Sequence, residues 1–311
     1  MSNHTMKQRW RPPLLFPVLS LLVVALSLLV VGPQLSLRAQ AAASVWTSTG
    51  PLHEGRSTQT ATLLQNGHVL VAGGRGEVPT AEIYDPATGT WTLTSPMQTG
   101  RDGHTATLLS DGRVLVAGGS GDTSAELYNP ATGSWTSTGP LVYATTYHTA
   151  TLLSNGRVLV TGGINENRTV LAIVELYDPA TGSFRLIGPL STARVGQTAT
   201  LLSDGRVLVT GGQGSDNAPL ATAQLFDPST QWSSISPMLQ ARAGPTATLL
   251  QDGRVLVAEG LGSGNTGYLT SAELFDPSAV VPAPTPTPFP TTPRPTPTPR
   301  NCGVHGKPPC P

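Results

Sequence analysis

The phrase Thr-Ala-Thr-Leu-Leu begins five times, at Thr60, Thr105, Thr149, Thr198 and Thr246, at steps of 45, 44, 49 and 48 residues. A repeat of this length sets the unit of folding, because each unit must bury its apolar face against the next. Each unit reads as four short strands. The first is the Thr/Leu phrase itself, and the second is a β-branched run of the type Arg-Val-Leu-Val. Between them stand Asn66-Gly67, Asp111-Gly112, Asn155-Gly156, Asp204-Gly205 and Asp252-Gly253. Such pairs suit a two-residue type I′ turn, which needs φ > 0 at both central positions. The third strand ends at Asp-Pro (Asn129-Pro130 in the second unit), where Pro stops ladder pairing and starts a turn. The fourth carries Trp91, Trp135, Phe184 or Trp232. No stretch of the body has helical periodicity.

Four strands every 45 residues or so match the size of a propeller blade. Glycine pairs end the second strand at Gly73-Gly74, Gly118-Gly119, Gly162-Gly163 and Gly211-Gly212. An aromatic follows at Tyr84, Tyr128, Tyr177 and Phe226, and then the aromatic of the fourth strand. This order resembles the kelch-repeat family over roughly residues 45–281, and the near-identical units look most like bacterial exported kelch-repeat proteins. The resemblance implies an all-β, five-bladed kelch-type β-propeller. The fifth unit departs from the pattern: Glu259 replaces its first glycine, and its fourth strand is missing. Conversely, Val45–Leu52 (VWTSTGPL) copies a fourth strand with no unit before it. The expectation is that it pairs with the strand around Ala272-Glu273-Leu274-Phe275 and closes the ring, which would leave no open edge.

The ends differ from this body. Lys7, Arg9 and Arg11 precede an apolar run from Leu14 to Val31 and a small-residue stretch at Ala39–Ala43. Residues 1–43 therefore read as a signal peptide or an uncleaved N-terminal anchor, and the body as secreted or at the cell surface. The propeller is expected over residues 44–281. Residues 282–311 read as a disordered Pro/Thr-rich stalk, expected to have polyproline II character, with a short Cys-containing end. Cys302 and Cys310 either form a disulfide in an oxidising compartment or remain free thiols, alone or with His305 at a metal.

The body holds all 18 acidic residues against 11 Arg and no Lys, a balance of −7. That excludes a nucleic-acid footprint and adsorption on anionic lipid, both of which need clustered cations. Any membrane link would run through the N-terminal anchor. No metalloprotease or nucleophile-elbow motif is present. Gly262–Gly267 fits the dinucleotide fingerprint only formally, since a strand follows it rather than a helix. His104 and His148 share a place in adjacent units, but no third ligand recurs beside them, so they read as strand-entrance residues. Some propellers resembling galactose oxidase use a Tyr–Cys cross-link; this body has no Cys. No cofactor and no enzymatic activity are expected.

Binding is expected on one face. The steps from the last glycine of the pair to the third strand's Glu or Gln are 8, 7, 12, 12 and 13 residues, so the last three units carry the longer loops. Asn165, Asn167, Asp216, Asn217 and Asn265 lie in those loops. Arg56, Arg101, Arg194 and Arg242 occupy equivalent unit-to-unit connections, with Thr145 in the third. Arginines at the matching place contact acidic peptides in some animal kelch domains, and the resemblance implies a carboxylate-gripping ring here. Alternatively, each Arg braces the recurrent Glu82, Glu126, Glu175 or Glu273. The tryptophans read as packing rather than sugar platforms. The expected role is a non-enzymatic module for a protein or glycan partner. A degenerate carbohydrate-active or galactose-oxidase-like propeller and a surface repeat without a discrete ligand are the alternatives.

Overall fold

The computed structural model describes residues 46–264 and 267–280. The expected signal or anchor segment (1–43), the Pro/Thr-rich stalk (282–311), Cys302, Cys310 and Asn265 lie outside the described residues. The fold below is that of the unit beginning at Ser48.

Its strands form five antiparallel sheets in chain order. The first holds β1 (Thr60–Leu63), β2 (Val69–Ala72), β3 (Ala81–Asp85) and β4 (Thr90–Leu93). The second holds β5 (Thr105–Leu108), β6 (Val114–Ala117), β7 (Ala125–Asn129) and β8 (Ser134–Thr138). The third holds β9 (Thr149–Leu152), β10 (Val158–Thr161), β11 (Val174–Asp178) and β12 (Ser183–Leu186). The fourth holds β13 (Thr198–Leu201), β14 (Val207–Thr210), β15 (Ala223–Asp227) and β16 (Gln231–Ser234). The fifth has three strands, β17 (Thr246–Leu249), β18 (Val255–Ala258) and β19 (Ala272–Phe275).

The first hairpin turn of each unit differs from the expected type I′. Gly67 takes φ +83°, but Asn66 is not among the residues with positive φ. Gly67 N–H donates to Leu64 O at 3.0 Å and Leu64 N–H to His68 O at 2.8 Å, a turn followed by a glycine bulge. The reason is the Asn side chain: its Oδ1 accepts from His68 N–H at 3.1 Å and holds Asn66 in an ordinary conformation. Asp111, Asn155, Asp204 and Asp252 do the same for the residue two positions on.

The core consists of four apolar layers, one between each pair of neighbouring sheets. In the second, third and fourth sheets every residue of the second strand is buried. Register puts the two aromatics of a unit opposite one another: Tyr84 on Trp91, Tyr128 on Trp135, Tyr177 on Phe184 and Phe226 on Trp232, with centroids 4.9, 5.0, 4.7 and 5.2 Å apart. Trp135, Phe184 and Trp232 also belong to the layer shared with the preceding sheet, so each aromatic fastens its own sheet to the last one.

The two ends of the row are different. The innermost strands touch in order, β1 on β5, β5 on β9, β9 on β13 and β13 on β17, and no contact of comparable extent joins β17 to β1. The expected closing strand does not appear among the described residues. Residues 46–59 contain no strand, and β19 pairs only with β18 among the described strands.

Candidate functional site: the loop face

In an antiparallel four-stranded unit, the loops joining second to third strands share a face with the unit-to-unit connections. Isolated bridges join the two sets there: Thr146 to Ile164, Val195 to Gln213 and Ala243 to Leu261. The glycine pair makes this close approach possible. Gly163 N–H donates to Arg194 O at 2.8 Å, and a Cβ on Gly162 would lie 2.5 Å from that same oxygen.

The four arginines lie here, but they point inward. The Arg56 side chain is 1% exposed, and Arg101, Arg194 and Arg242 are fully buried. Arg101 shows the pattern. Its Nη1 donates to Gly118 O at 2.9 Å and Ser124 O at 2.8 Å, and its Nη2 to Ser124 Oγ at 2.7 Å and Glu126 Oε1 at 3.0 Å. Arg56 and Arg242 repeat it with Glu82 at 3.1 Å and Glu273 at 3.0 Å. The arginines therefore brace the fold, and none is presented to a ligand in this structure. Each glutamate also accepts backbone N–H groups from the incoming connection, as Glu126 does from Gln98 and Thr99 at 2.8 and 3.2 Å.

Two units break the pairing. In the third, Thr145 replaces the arginine and donates only to Gly162 O at 2.9 Å. Glu175 is buried and holds Val142 and Tyr143 N–H at 2.8 and 2.9 Å, with no arginine beside it. Burial raises its carboxyl above the ordinary range, opposed by those two hydrogen bonds. In the fourth, Gln224 replaces the glutamate and accepts from Ser191 N–H at 3.0 Å. Arg194 is left with carbonyls and the Thr222 hydroxyl, and burial lowers its guanidinium to about 10.

With the arginines internal, the charge presented on this face is acidic. Glu54, Glu77, Glu166, Asp216 and Glu259 are exposed and Asp102 and Asp122 half-buried, against Arg75 and Arg168 among the described residues. The loop residues singled out from sequence mostly build their own turns. Asn165 Oδ1 accepts from Thr169 N–H at 2.9 Å, and Asp216 Oδ1 from Ala218 N–H at 3.0 Å. Asn217 takes φ +61° and its carbonyl accepts from Gln213 Nε2 at 2.7 Å. Asn167 is exposed.

His104 and His148 are buried at strand entrances, each Nε2 within 3.0 Å of a threonine hydroxyl of the preceding unit. Burial lowers both to about 4, so both are neutral at physiological pH. Among the described residues no three His, Cys, Asp or Glu gather as metal ligands. Sequence reasoning passed over Tyr147, which is 48% exposed on this face with φ +56°. The signal was available: a tyrosine stands where Gly103, Gly196 and Gly244 stand in other units.

Among curated proteins, none matches this chain. The Kelch motif does match, at residues 56–98 and again at 145–191. The first span contains β1 to β4 and the second β9 to β12, so each match covers one complete four-stranded sheet. The same strand order and stacked aromatics recur in the second and fourth sheets, and the two motif matches support a kelch-repeat family for this chain.

Proposed function

We propose that this chain is an exported, non-enzymatic five-bladed propeller that presents its loop face to a protein or glycan partner at the cell surface. The observation that carries the reading is the asymmetry between faces. The Asn/Asp-Gly turns are uniform in geometry, whereas the loop face varies in length and carries the exposed acidic side chains and Tyr147. Kelch repeats of this kind commonly mediate protein interaction. Export rests on the basic and apolar character of residues 7–31. The non-enzymatic reading rests on the absence of Cys from the body, which removes the Tyr–Cys chemistry of oxidase-like relatives.

Closure of the ring by the stretch at residues 45–52 belongs to the same proposal. Gly50 N–H to Gly89 O repeats the contact of Gly139 N–H with Gly182 O, made where β8 leaves the second sheet. His53 and Glu54 N–H reach Glu82 as Gln98 and Thr99 reach Glu126. Beside β19 lies a cavity of about 720 Å³, lined by Ile235, Met238 and Phe275. Ile235 holds the place of Thr94, the residue that meets Trp135 Nε1 at 3.5 Å. A fourth strand paired with β19 would carry an aromatic toward Phe275, as β8 carries Trp135 toward Tyr128.

Two experiments test this. Pull-downs from cell-surface extracts should capture a partner with the natural chain and lose it when the loops at 164–171 and 213–221 are shortened to the length of the first unit's. Capture that survives shortening, or stoichiometric copper with turnover, counts against the reading. For closure, deleting residues 45–52 should lower the unfolding midpoint, since an added strand with one buried aromatic is worth ~3–5 kcal/mol. Truncation after Pro282 should leave the midpoint unchanged.

A further inference from the structure

The loop face carries an open cavity of about 410 Å³ that neither the arginine braces nor the repeat accounts for. Four segments meet there: the first sheet's loop with Arg75 and Glu77, the connection at Asp102, the second sheet's loop at Ser120, and the connection at Tyr147. Gly103, Gly196 and Gly244 take φ of +66°, +63° and +61° at the place equivalent to Tyr147. Thr58 takes φ +58° at the same place in the first unit, so a non-glycine residue is held in this strained conformation twice, and Tyr147 is the one large aromatic among the five. The neighbouring unit makes room for the ring. Tyr147 N–H donates to Gly103 O at 2.8 Å, and a Cβ on Gly103 would stand 2.9 Å from Tyr147 Cε1.

The remaining groups are polar and point in mixed senses. Asp102 Oδ1 accepts from Thr58 Oγ1 at 2.6 Å, and Ser120 Oγ accepts from Asp102 N–H at 3.0 Å. Arg75 and Glu77 are exposed at the rim. An aromatic face beside two carboxylates, a guanidinium and a hydroxyl offers an apolar platform ringed by acceptors and donors. That combination fits a pyranose, whose C–H face packs on an aromatic ring while its hydroxyls both donate and accept. The acidic excess of the face disfavours an anionic ligand, and Arg75 in the same cavity disfavours a cationic one.

We infer that this cavity is a binding site for a neutral saccharide, with Tyr147 as the stacking platform and Asp102, Glu77 and Arg75 as hydroxyl-binding groups. The inference rests on the proposed role of the loop face and narrows it to a ligand class. The test titrates the purified full chain with neutral gluco-, manno- and xylo-oligosaccharides, alongside Tyr147→Gly, Tyr147→Phe and Asp102→Asn. Glycine is the sibling residue at this place, so Tyr147→Gly keeps the fold, and its unfolding midpoint should not fall. Expected are binding of at least one saccharide, a loss of about tenfold or more in Tyr147→Gly, and near-retention in Tyr147→Phe. Absence of binding across the panel, binding unchanged in Tyr147→Gly, or preference for an oligolysine peptide over every sugar overturns it. Loop-dependent capture of a protein without saccharide binding would sink this site and leave the proposed function standing.

Discussion

The first and third sheets both match the same motif and share a register, with Val69 opposite Tyr84 and Val158 opposite Tyr177. They handle one buried carboxylate in opposite ways. Glu82 meets Arg56 at 3.1 Å, whereas Glu175 has Thr145 where the arginine would be. Ile173 stands where Thr80 offers its hydroxyl to Arg56 in the first sheet, so guanidinium and hydroxyl are lost together. What survives in both is the grip on two successive backbone N–H groups, His53 with Glu54 and Val142 with Tyr143. The carboxylate is therefore what ties the incoming connection to the sheet. The arginine supports it and fastens the carbonyls around the glycine pair. The cost of omitting it shows in the titration. Burial pushes Glu82 up, but hydrogen bonds from His53, Arg56 and Glu54 outweigh it and hold the carboxyl low, while Glu175 is left high.

The largest expected effect is on the braced side. Arg56→Ala strands a buried carboxylate and should cost ~3–5 kcal/mol by urea unfolding. An unchanged midpoint would show that the pair adds nothing to the first sheet. Thr145→Ala removes a single buried hydroxyl bond in the third sheet and should cost only about 1–2 kcal/mol. If the two substitutions cost the same, the contrast between the sheets fails.

The smallest effect is the most specific, because its sign reverses between the sheets. A carboxyl held low in the folded state contributes stability above its unfolded value, lost as pH falls through the folded one. A carboxyl held high contributes below its unfolded value, and that contribution is lost as pH rises through the folded one. The stability of the natural chain relative to Glu82→Gln should therefore shrink as pH falls below the ordinary carboxyl value of 4.5. Relative to Glu175→Gln it should shrink as pH rises above 4.5. Parallel profiles would mean the two carboxyls share one environment.

Much of this was legible in the residues. The repeat marks all five sheets, and the tryptophans were read as packing residues, but the pairing of Tyr84 with Trp91 came only from the strand register of the structure. The glycine turns were placed correctly and typed wrongly, because the Asx bond from Asn66 to His68 is a side-chain competitor that the dipeptide alone does not reveal. The arginines were recognised as a set with two opposed roles, and only the fold shows that their side chains are buried. Tyr147 was overlooked because in one dimension it is a single exchange in a connection, and its exposure becomes visible only when Gly103 of the previous unit comes to lie against it.

What the sequence by itself determined is the part governed by neighbours along the chain: strand content, turn sites, and the face on which loop length varies. Tertiary structure decided whether each arginine meets solvent or a carbonyl. Gly118 O and Ser124 O, which hold Arg101, are brought to it by the return of the second and third strands across the connection. It also decided the state of the fifth sheet, in which β19 pairs only with β18 among the described strands. A strand copied in sequence becomes a strand in space only when a partner ladder lies within hydrogen-bonding distance, since an extended segment has no internal bonds of its own.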